Sequence, residues 1–250
     1  MKNNPFEKPQ TVDSFSNLSE SNYIGDPSRL ESLKFIMSKI PEHGVGLDIG
    51  CGAGRISLLL KDRYSFVGID NSQAMIDKAK ILCPESEFWC KDVVSQFDYL
   101  NREFDFAIAF GLSMYLRFEE FNRVVNNSLN SLKLKGWLVF NVLHPLLFDP
   151  SFPTNYFNNS PINLRRDSSD SYKLNYFAKD GSFFEAKVYD NYKLTLELLN
   201  SLKKQGLIDF ETKAFFVDRD KLDKTGGRFK ESKFIGYPFQ STFRIKKLIL

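Results

Sequence analysis

The sequence predicts an α/β fold in which a seven-stranded, mostly parallel sheet carries helices on both faces and includes an antiparallel last strand. Short apolar runs alternate with helical patterns five times between residues 45 and 143. These runs are continuous rather than alternating, which is typical of parallel strands buried on both faces. After residue 206, two further apolar runs are joined only by a loop, so we expect the last two strands to pair antiparallel.

The elements of the first half can be assigned in order. Asp26 and Pro27 form a helix start, because Asp is a good N-cap and Pro suits the first helical position. The helices that follow have apolar residues at spacings of three and four, and Phe118–Leu132 is one of them. The predicted strands are Val45–Asp48, Ser65–Ile69, Glu87–Cys90, Phe104–Phe110 and Trp137–Leu143.

The alternation of strand and helix stops after His144 and Pro145. Residues 146–190 are rich in Pro, Asn, Ser and Phe, and two stretches on either side of residues 179–181 predict a β-hairpin. A long irregular segment inside a domain is often a lid. We therefore interpret residues 146–190 as an inserted substrate cap, residues 27–145 and 191–250 as the core, and residues 1–26 as a partly mobile N-terminal segment.

Composition limits the classes of protein that need to be considered. Apolar residues make up 42% and charged residues 26% of the chain, as in ordinary globular domains, and the net charge of +3 gives no reason to expect nucleic acid. Cys51, Cys83 and Cys90 lack metal-ligand spacing and are typical of reduced thiols. Without a signal peptide or a spanning apolar run, we expect a cytoplasmic monomer or homodimer that binds no membrane and no metal.

The stretch Val45–Gly54 connects the first predicted strand to a helix through glycines at positions 50, 52 and 54. Glycine suits such a turn because it reaches left-handed backbone angles and lets a ligand lie against the main chain. The N-terminus of the following helix leaves N–H groups free for that ligand. A nicotinamide dinucleotide would require G-x-G-x-x-G. The third glycine of that motif would fall at Arg55, so the match fails.

The spacing that is present is G-x-G-x-G, with Asp48 two residues before the first glycine. This pattern resembles the first motif of class I S-adenosylmethionine-dependent methyltransferases, and the resemblance extends over Pro41–Leu143. It implies a Rossmann-like core with a final reversed hairpin, S-adenosylmethionine as the cofactor, and methyl transfer as the activity.

The resemblance also assigns cofactor contacts to the ends of successive strands. Asp70 is expected to accept hydrogen bonds from both ribose hydroxyls, with a capping role for the next helix as the alternative. Asp92 is expected to accept a hydrogen bond from the adenine amino group, with a simple turn residue as the alternative. The expected cofactor set is Asp48, Gly50, Gly52, Asp70, Asn71, Met75, Asp92, Val93 and Phe110.

The acceptor side depends on residues farther along the chain. His144 follows the fifth strand at the edge where ligands bind in open α/β sheets, and Val-Leu-His-Pro there resembles a subgroup of small-molecule methyltransferases with an inserted cap. His144 is the candidate catalytic base or a substrate contact, and the alternative is that it fixes the turn before Pro145. The expected substrate-binding set is Tyr23, Tyr115, His144, Tyr156, Tyr189 and Tyr192, with Leu112, Ser113 and Phe157 as further walls and Arg165–Arg166 as an anion clamp.

Methyl transfer is an in-line displacement that depends mainly on positioning, and a base is needed only when the nucleophile carries a proton. We expect an O or N atom of a small metabolite as the acceptor. RNA methylation, protein methylation and a non-catalytic S-adenosylmethionine-binding module are the alternatives. The Asn/Asp-Pro-Pro-Tyr motif of amino-methylating nucleic-acid enzymes is replaced by Phe110–Ser113, and the sequence has no strong basic face.

Overall fold

The computed structural model describes residues 5–7, 12, 27–148, 162–177, 183–216 and 238–249. Short 3-10 turns lie at Pro5–Glu7, Asp98–Leu100, Ser113–Tyr115 and Pro145–Phe148. The helices are α1 (Pro27–Met37), α2 (Arg55–Leu60), α3 (Gln73–Leu82), α4 (Phe118–Ser131) and α5 (Tyr192–Lys204). The strands are β1 (Gly44–Ile49), β2 (Tyr64–Asp70), β3 (Glu87–Cys90), β4 (Phe104–Ala109), β5 (Leu132–Leu143), β6 (Ile162–Arg166), β7 (Ser171–Phe177), β8 (Phe183–Tyr189), β9 (Ile208–Phe216) and β10 (Pro238–Lys247).

Seven strands form a large sheet in the order β3-β2-β1-β4-β5-β10-β9. The pairs among β1 to β5 are parallel, whereas β10 is antiparallel to both β5 and β9. This confirms the predicted fold class. Because parallel strands end at a common edge, the turns after β1, β2, β3 and β4 all lie along the carboxyl edge of this sheet.

The large sheet separates two apolar layers, as expected for strands that are buried on both faces. Helices α4 and α5 cover one face, and α1, α2 and α3 cover the other. The first layer includes Leu47, Ile69, Phe121, Val125, Phe140, Leu199 and Phe243. The second includes Leu33, Ile36, Ile56, Phe66, Phe106 and Val139, together with Ile76, Ala79 and Phe88 beneath α3.

Several helix ends follow the local signals in the sequence. Ser72 caps α3, since its Oγ accepts a hydrogen bond from the backbone N–H of Met75 at 3.2 Å. Helix α4 begins with Glu120 accepting from the backbone N–H of Arg117 at 2.9 Å. Helix α5 is followed by Gly206 with a φ of 73°, a left-handed residue that commonly ends a helix.

Strand β5 begins at Leu132, earlier than the predicted start at Trp137. A register irregularity interrupts its pairing with β4, and Lys135 has a left-handed φ of 66°. The sequence therefore predicted only the regular part of the strand. A bulge of this kind bends a strand without ending its pairing, so Gly136 lies within the strand rather than in a preceding turn.

Strands β6, β7 and β8 form a separate small sheet with antiparallel pairing. The predicted hairpin is present as β7 and β8. Strand β6 was not predicted, because Ile162–Arg166 is a short stretch that ends in two charged residues and follows a region of polar residues and proline. Its Leu164 lies opposite Leu174 of β7.

None of the helices in the described ranges is both long and apolar enough to cross a lipid bilayer.

Candidate active site

The turn between β1 and α2 is built on left-handed glycines. Gly50, Gly52 and Gly54 have φ angles of 70°, 51° and 73°. A Cβ atom added to Gly50 would lie 3.0 Å from the side chain of Leu112, and one added to Gly54 would lie 3.0 Å from the Cβ of Ala79. Gly50 and Gly54 are therefore packed tightly against the loop after β4 and against α3.

Gly52 differs from its neighbours because it faces open space. No heavy atom of the described residues lies within 4 Å of a Cβ added there. Gly111, in the loop after β4, has a φ of 70° and is equally open among the described residues. Left-handed, uncovered backbone in two turns of one sheet edge leaves room for a ligand to lie against the main chain.

The carboxylate of Asp70 connects the turns after β1 and β2. Its Oδ2 accepts a hydrogen bond from the backbone N–H of Gly52, and its Oδ1 accepts one from that of Ser72, each at 2.9 Å. Burial raises the pKa of Asp70, and hydrogen bonds from the backbone of Ser72, Gly52 and Asn71 oppose the rise. A carboxylate has about four acceptor positions, so Asp70 retains capacity for hydroxyl donors of a ligand. The helix cap itself is Ser72, not Asp70.

Asp48 lies in β1 and is only 2% exposed. Its Oδ2 accepts a hydrogen bond from Ser57 Oγ at 3.3 Å. Burial raises the pKa of Asp48 to about 7, with a smaller contribution from the negative charge of Asp70. Near neutral pH the carboxyl is therefore protonated in about half of the molecules.

Asp92, after β3, is exposed, and its Oδ1 accepts a hydrogen bond from the backbone N–H of Val94 at 3.0 Å. This hydrogen bond is typical of a turn residue, which is the alternative that the sequence offers for Asp92. The adenine contact stays a prediction. Val93 and Met75 are buried, and Asn71 is half-buried in the turn before α3. Their predicted contacts with a ligand stay predictions as well.

Asn141 fixes the loop that follows β4. The loop begins at Phe110, and the backbone N–H of Gly111 donates to Asn141 Oδ1 at 2.7 Å. Ser113 Oγ donates to the carbonyl oxygen of Asn141 at 2.6 Å. Sequence reasoning missed Asn141, although a lone polar residue inside the apolar run of β5 is a usable signal, since a buried amide needs partners.

Asn191 fixes the same loop from the other side. Its Nδ2 donates to the carbonyl oxygens of Ser113 and Leu116, at 2.8 and 3.0 Å. The side chain is only 4% exposed. Sequence reasoning missed this residue too, because an Asn directly before a helix predicts a local cap, and Asn191 makes no side-chain capping bond to α5.

His144 directly follows β5 and is half-buried. Burial lowers the pKa of His144, so the imidazole is neutral at pH 7. Its Nδ1 accepts a hydrogen bond from the backbone N–H of Leu146 at 3.3 Å, which assigns the proton to Nε2. The imidazole ring centre lies 5.8 Å from that of Tyr192 at the start of α5.

The sequence predicts further residues that contact the methyl acceptor, and they lie on several different elements. Tyr115 packs edge-to-face on Phe6, with ring centres 5.3 Å apart. Tyr189 is half-buried at the end of β8. Arg165 and Arg166 are exposed on β6. The predicted contacts Tyr23, Tyr156 and Phe157 lie outside the described residues.

Residues near the N-terminus lie on the turns after β2 and β4. The carbonyl oxygen of Phe6 accepts a hydrogen bond from Ser72 Oγ at 2.8 Å, and Glu7 Oε1 accepts one from the backbone N–H of Gln73 at 3.1 Å. Val12 is buried beside Ala53 and Met75. These turns and the start of α3 are thus covered in part by residues 6, 7 and 12.

Residues 47–136 match the sequence profile of a family described as a methyltransferase domain. The chain is 29% identical over 182 residues to a malonyl-[acyl-carrier protein] O-methyltransferase of Acetivibrio thermocellus, covering 64% of this chain and 63% of the relative. It is 44% identical over 52 residues to a trans-aconitate 2-methyltransferase of Delftia acidovorans, covering 20% of this chain and 19% of the relative. The matches thus span less than two thirds of either relative.

The fold is also similar to that of a solved S-adenosylmethionine-dependent methyltransferase from Clostridium acetobutylicum. The TM-score is 0.59 at 15% sequence identity, and the alignment covers 96% of this chain and 97% of the other. The similarity therefore extends over the fold as a whole and not only over the glycine turn. Residues 47–136 therefore match a methyltransferase domain, and the fold of the chain is similar to that of S-adenosylmethionine-dependent methyltransferases.

Proposed function

We propose that the chain binds S-adenosylmethionine along the carboxyl edge of the large sheet and transfers its methyl group to an O or N atom of a small molecule. Asp70 would accept hydrogen bonds from the ribose hydroxyls, and the backbone of Gly52 and Gly111 would lie against the ligand. The uncovered positions at these two glycines and the remaining acceptor capacity of Asp70 support this placement.

When bound, S-adenosylmethionine supplies a methyl group on a sulfonium, which is a good leaving group. The chain then has to hold the acceptor in line with that methyl group, since most of the rate enhancement can come from orientation. The loop that begins at Phe110 is suited to this role, because Asn141 and Asn191 hold it through four hydrogen bonds, of which three are buried and one is partly buried.

The observation that carries the small-molecule assignment is the position of the small sheet. Asn191 lies two residues after the end of β8, and its amide donates to the carbonyl oxygen of Ser113 in the Ser113–Tyr115 turn. Tyr172 of β7 contacts Phe148, with ring centres 4.5 Å apart. We therefore propose that residues 146–190 form a cap over the acceptor, with Tyr115, His144, Tyr189 and Tyr192 among its contacts. A lid at this place favours a small acceptor over a macromolecule.

The first acceptor class to examine is a small carboxylate. The two curated relatives are named for acceptors that carry carboxylates, a malonyl group on acyl-carrier protein and trans-aconitate. A carboxylate oxygen needs no base, since it is already deprotonated. His144 would suit such an acceptor, because its Nε2 carries a proton that can be donated to an oxygen anion. This geometry supports a binding contact over proton abstraction.

Calorimetry with S-adenosylhomocysteine tests the cofactor assignment, and we expect micromolar binding. Incubation with radiolabelled S-adenosylmethionine then tests panels of small carboxylates, hydroxyl compounds and amines, with total RNA and a protein extract alongside. Labelling of a small compound is the expected result. Labelling of RNA or protein alone would contradict the proposed acceptor class, and binding without any transfer would favour a non-catalytic module.

A further inference from the structure

Ser113 is bonded to the large sheet and to a residue that lies just after the small sheet. Its Oγ donates to the carbonyl oxygen of Asn141 in β5, at 2.6 Å. Its own carbonyl oxygen accepts from Nδ2 of Asn191, two residues after the end of β8, at 2.8 Å. The exposed fractions of Ser113, Asn141 and Asn191 are 1%, 5% and 4%. These hydrogen bonds are therefore shielded from competition by water.

On the side of the large sheet, the hydrogen bonds of Asn141 continue into the core. Asn141 Nδ2 donates to Gln240 Oε1 in β10, and Gln240 Nε2 donates to Ser32 Oγ in α1 at 3.3 Å. Asn141 also accepts from the N–H of Gly111. The loop after β4 is thus fixed against three elements of the core by a continuous series of buried polar groups.

At the small-sheet end, the buried hydrogen bonds come from the side chain of Asn191. Asn191 donates to two carbonyl oxygens, those of Ser113 and Leu116, and so holds both ends of the turn between them. Loss of these donors would leave the Ser113 carbonyl oxygen with only the backbone N–H of Leu116, at 3.3 Å, and would remove the Asn191 donor from the buried carbonyl oxygen of Leu116. Removing a donor from a buried acceptor costs more free energy than the bond itself contributes. The turn and the end of the small sheet are therefore expected to move together.

We propose that Asn191 is a positioning residue that transmits cofactor binding at the loop after β4 to the small sheet, so that β7 and β8 are more stable when the methyl donor is bound. The inference rests on the proposed cofactor site. It assigns Asn191 no contact with the cofactor or the acceptor. Its role is to make one rigid unit of the loop that faces the methyl group and the sheet that faces the substrate.

Hydrogen exchange of the full chain, followed by mass spectrometry with and without saturating S-adenosylhomocysteine, tests this inference. With the ligand bound, peptides that cover β7 and β8 are expected to exchange at least about threefold more slowly than without it. Asn191→Asp keeps the shape of the side chain but removes the N–H donors, and it should abolish this slowing. Asn191→Ala removes the same donors without burying a carboxylate, and it should behave alike.

Lys247→Met is the matched control. Lys247 Nζ also donates from a buried side chain to a carbonyl oxygen, that of Leu132 at 2.7 Å, but at the opposite end of β5. This variant is expected to lose stability and still show slower exchange of β7 and β8 with ligand. A purely structural role of Asn191 would make its variants behave like Lys247→Met, and that result would overturn the proposal.

Calorimetry on the same samples distinguishes a failure of the proposed function from a failure of the role proposed for Asn191. If the wild-type chain does not bind S-adenosylhomocysteine, the proposed function itself is wrong. If it binds without slowing exchange in the small sheet, only the role of Asn191 is wrong. If the Asn191 variants lose ligand binding altogether, the residue supports the cofactor site directly, and the transmission to the cap is contradicted. Retained binding with lost slowing supports the proposal.

Discussion

Two parts of the candidate site are stabilised by different sets of hydrogen bonds. We call the turns after β1 and β2 the proposed cofactor side, and the loop after β4 the proposed acceptor side. On the cofactor side, Gly52 and Ser72 are bonded through Asp70, and the bonded residues are 18 and 2 positions apart in the sequence. On the acceptor side, the loop after β4 is bonded to Asn141 and Asn191, 28 and 78 positions from Ser113. The cofactor side is therefore stabilised by hydrogen bonds between neighbouring turns. The acceptor side is stabilised by amide side chains from distant elements.

This difference implies that, in the ligand-free chain, the two sides should respond to mutation independently. A change in a local turn should weaken ligand binding without loosening the small sheet of the ligand-free chain, and a change in a distant amide should do the reverse. The following predictions test that separation, beginning with the largest effect.

Asp48 lies at the base of the cofactor side, and its substitution should alter stability in a pH-dependent manner. Its pKa is raised from 3.8 to about 7 by burial, so the folded state binds this proton more tightly than the unfolded state. The free energy of unfolding should therefore fall as pH rises through this range. We expect Asp48→Asn to become more stable relative to wild type by about 3 kcal/mol between about pH 5 and about pH 8.

Denaturant unfolding at the two pH values measures this effect. Asp62→Asn, at an exposed position after α2, is the control and should follow the wild type. If Asp48→Asn also follows the wild type at both pH values, the carboxyl is not held in the protonated form by burial.

Asp70→Ala should weaken S-adenosylhomocysteine binding about thirtyfold, because it removes a charged acceptor that also holds two turns. Asp77→Ala, an exposed change on α3, serves as the control. Calorimetry gives both dissociation constants. Equal affinities of the two variants would show that the ribose contact has been placed on the wrong residue.

Gly52→Ala and Gly206→Ala form a matched pair. Both glycines have left-handed φ angles, 51° and 73°, and a Cβ on either would meet no described atom within 4 Å. Each substitution should therefore cost about 1 kcal/mol of stability from backbone strain. Only Gly52→Ala should also weaken S-adenosylhomocysteine binding, since its methyl group would enter the ligand space. Equal binding by both variants would contradict that position of the ligand.

His144→Gln should have the smallest effect on the cofactor side. It removes one long hydrogen bond from Leu146, so we expect a loss of less than about 1 kcal/mol in stability and no measurable change in S-adenosylhomocysteine affinity. Thermal unfolding and calorimetry measure the two quantities. A large loss of affinity would show that His144 belongs to the cofactor side, and the separation of the two sides would then fail.

The same contrast explains what the sequence could predict. The glycines at positions 50, 52 and 54, the acid at Asp70 and the cap at Ser72 act over short sequence distances, and each leaves a recognisable local pattern. The parallel pairing of the first five strands followed from the same local patterns, because continuous apolar strands joined by helices are typical of a parallel sheet.

Asn141 and Asn191 could not be assigned roles in the same way. Their partners are fixed only when β4, β5 and β8 come together, and nothing near either residue in the sequence indicates those partners. Strand β6 was missed for a related reason, since its pairing with β7 depends on a small sheet whose strands are short and partly polar. Local chemistry predicts turns, whereas tertiary contacts determine which amides become buried.

The strand order of the large sheet has a consequence for self-association. One edge strand, β3, is only four residues long, and the other, β9, carries exposed Asp209, Glu211 and Lys213. Short edges and charged edges both oppose the addition of a strand from another molecule. Neither edge of the large sheet therefore favours strand addition between two copies of the chain or growth into a continuous intermolecular sheet.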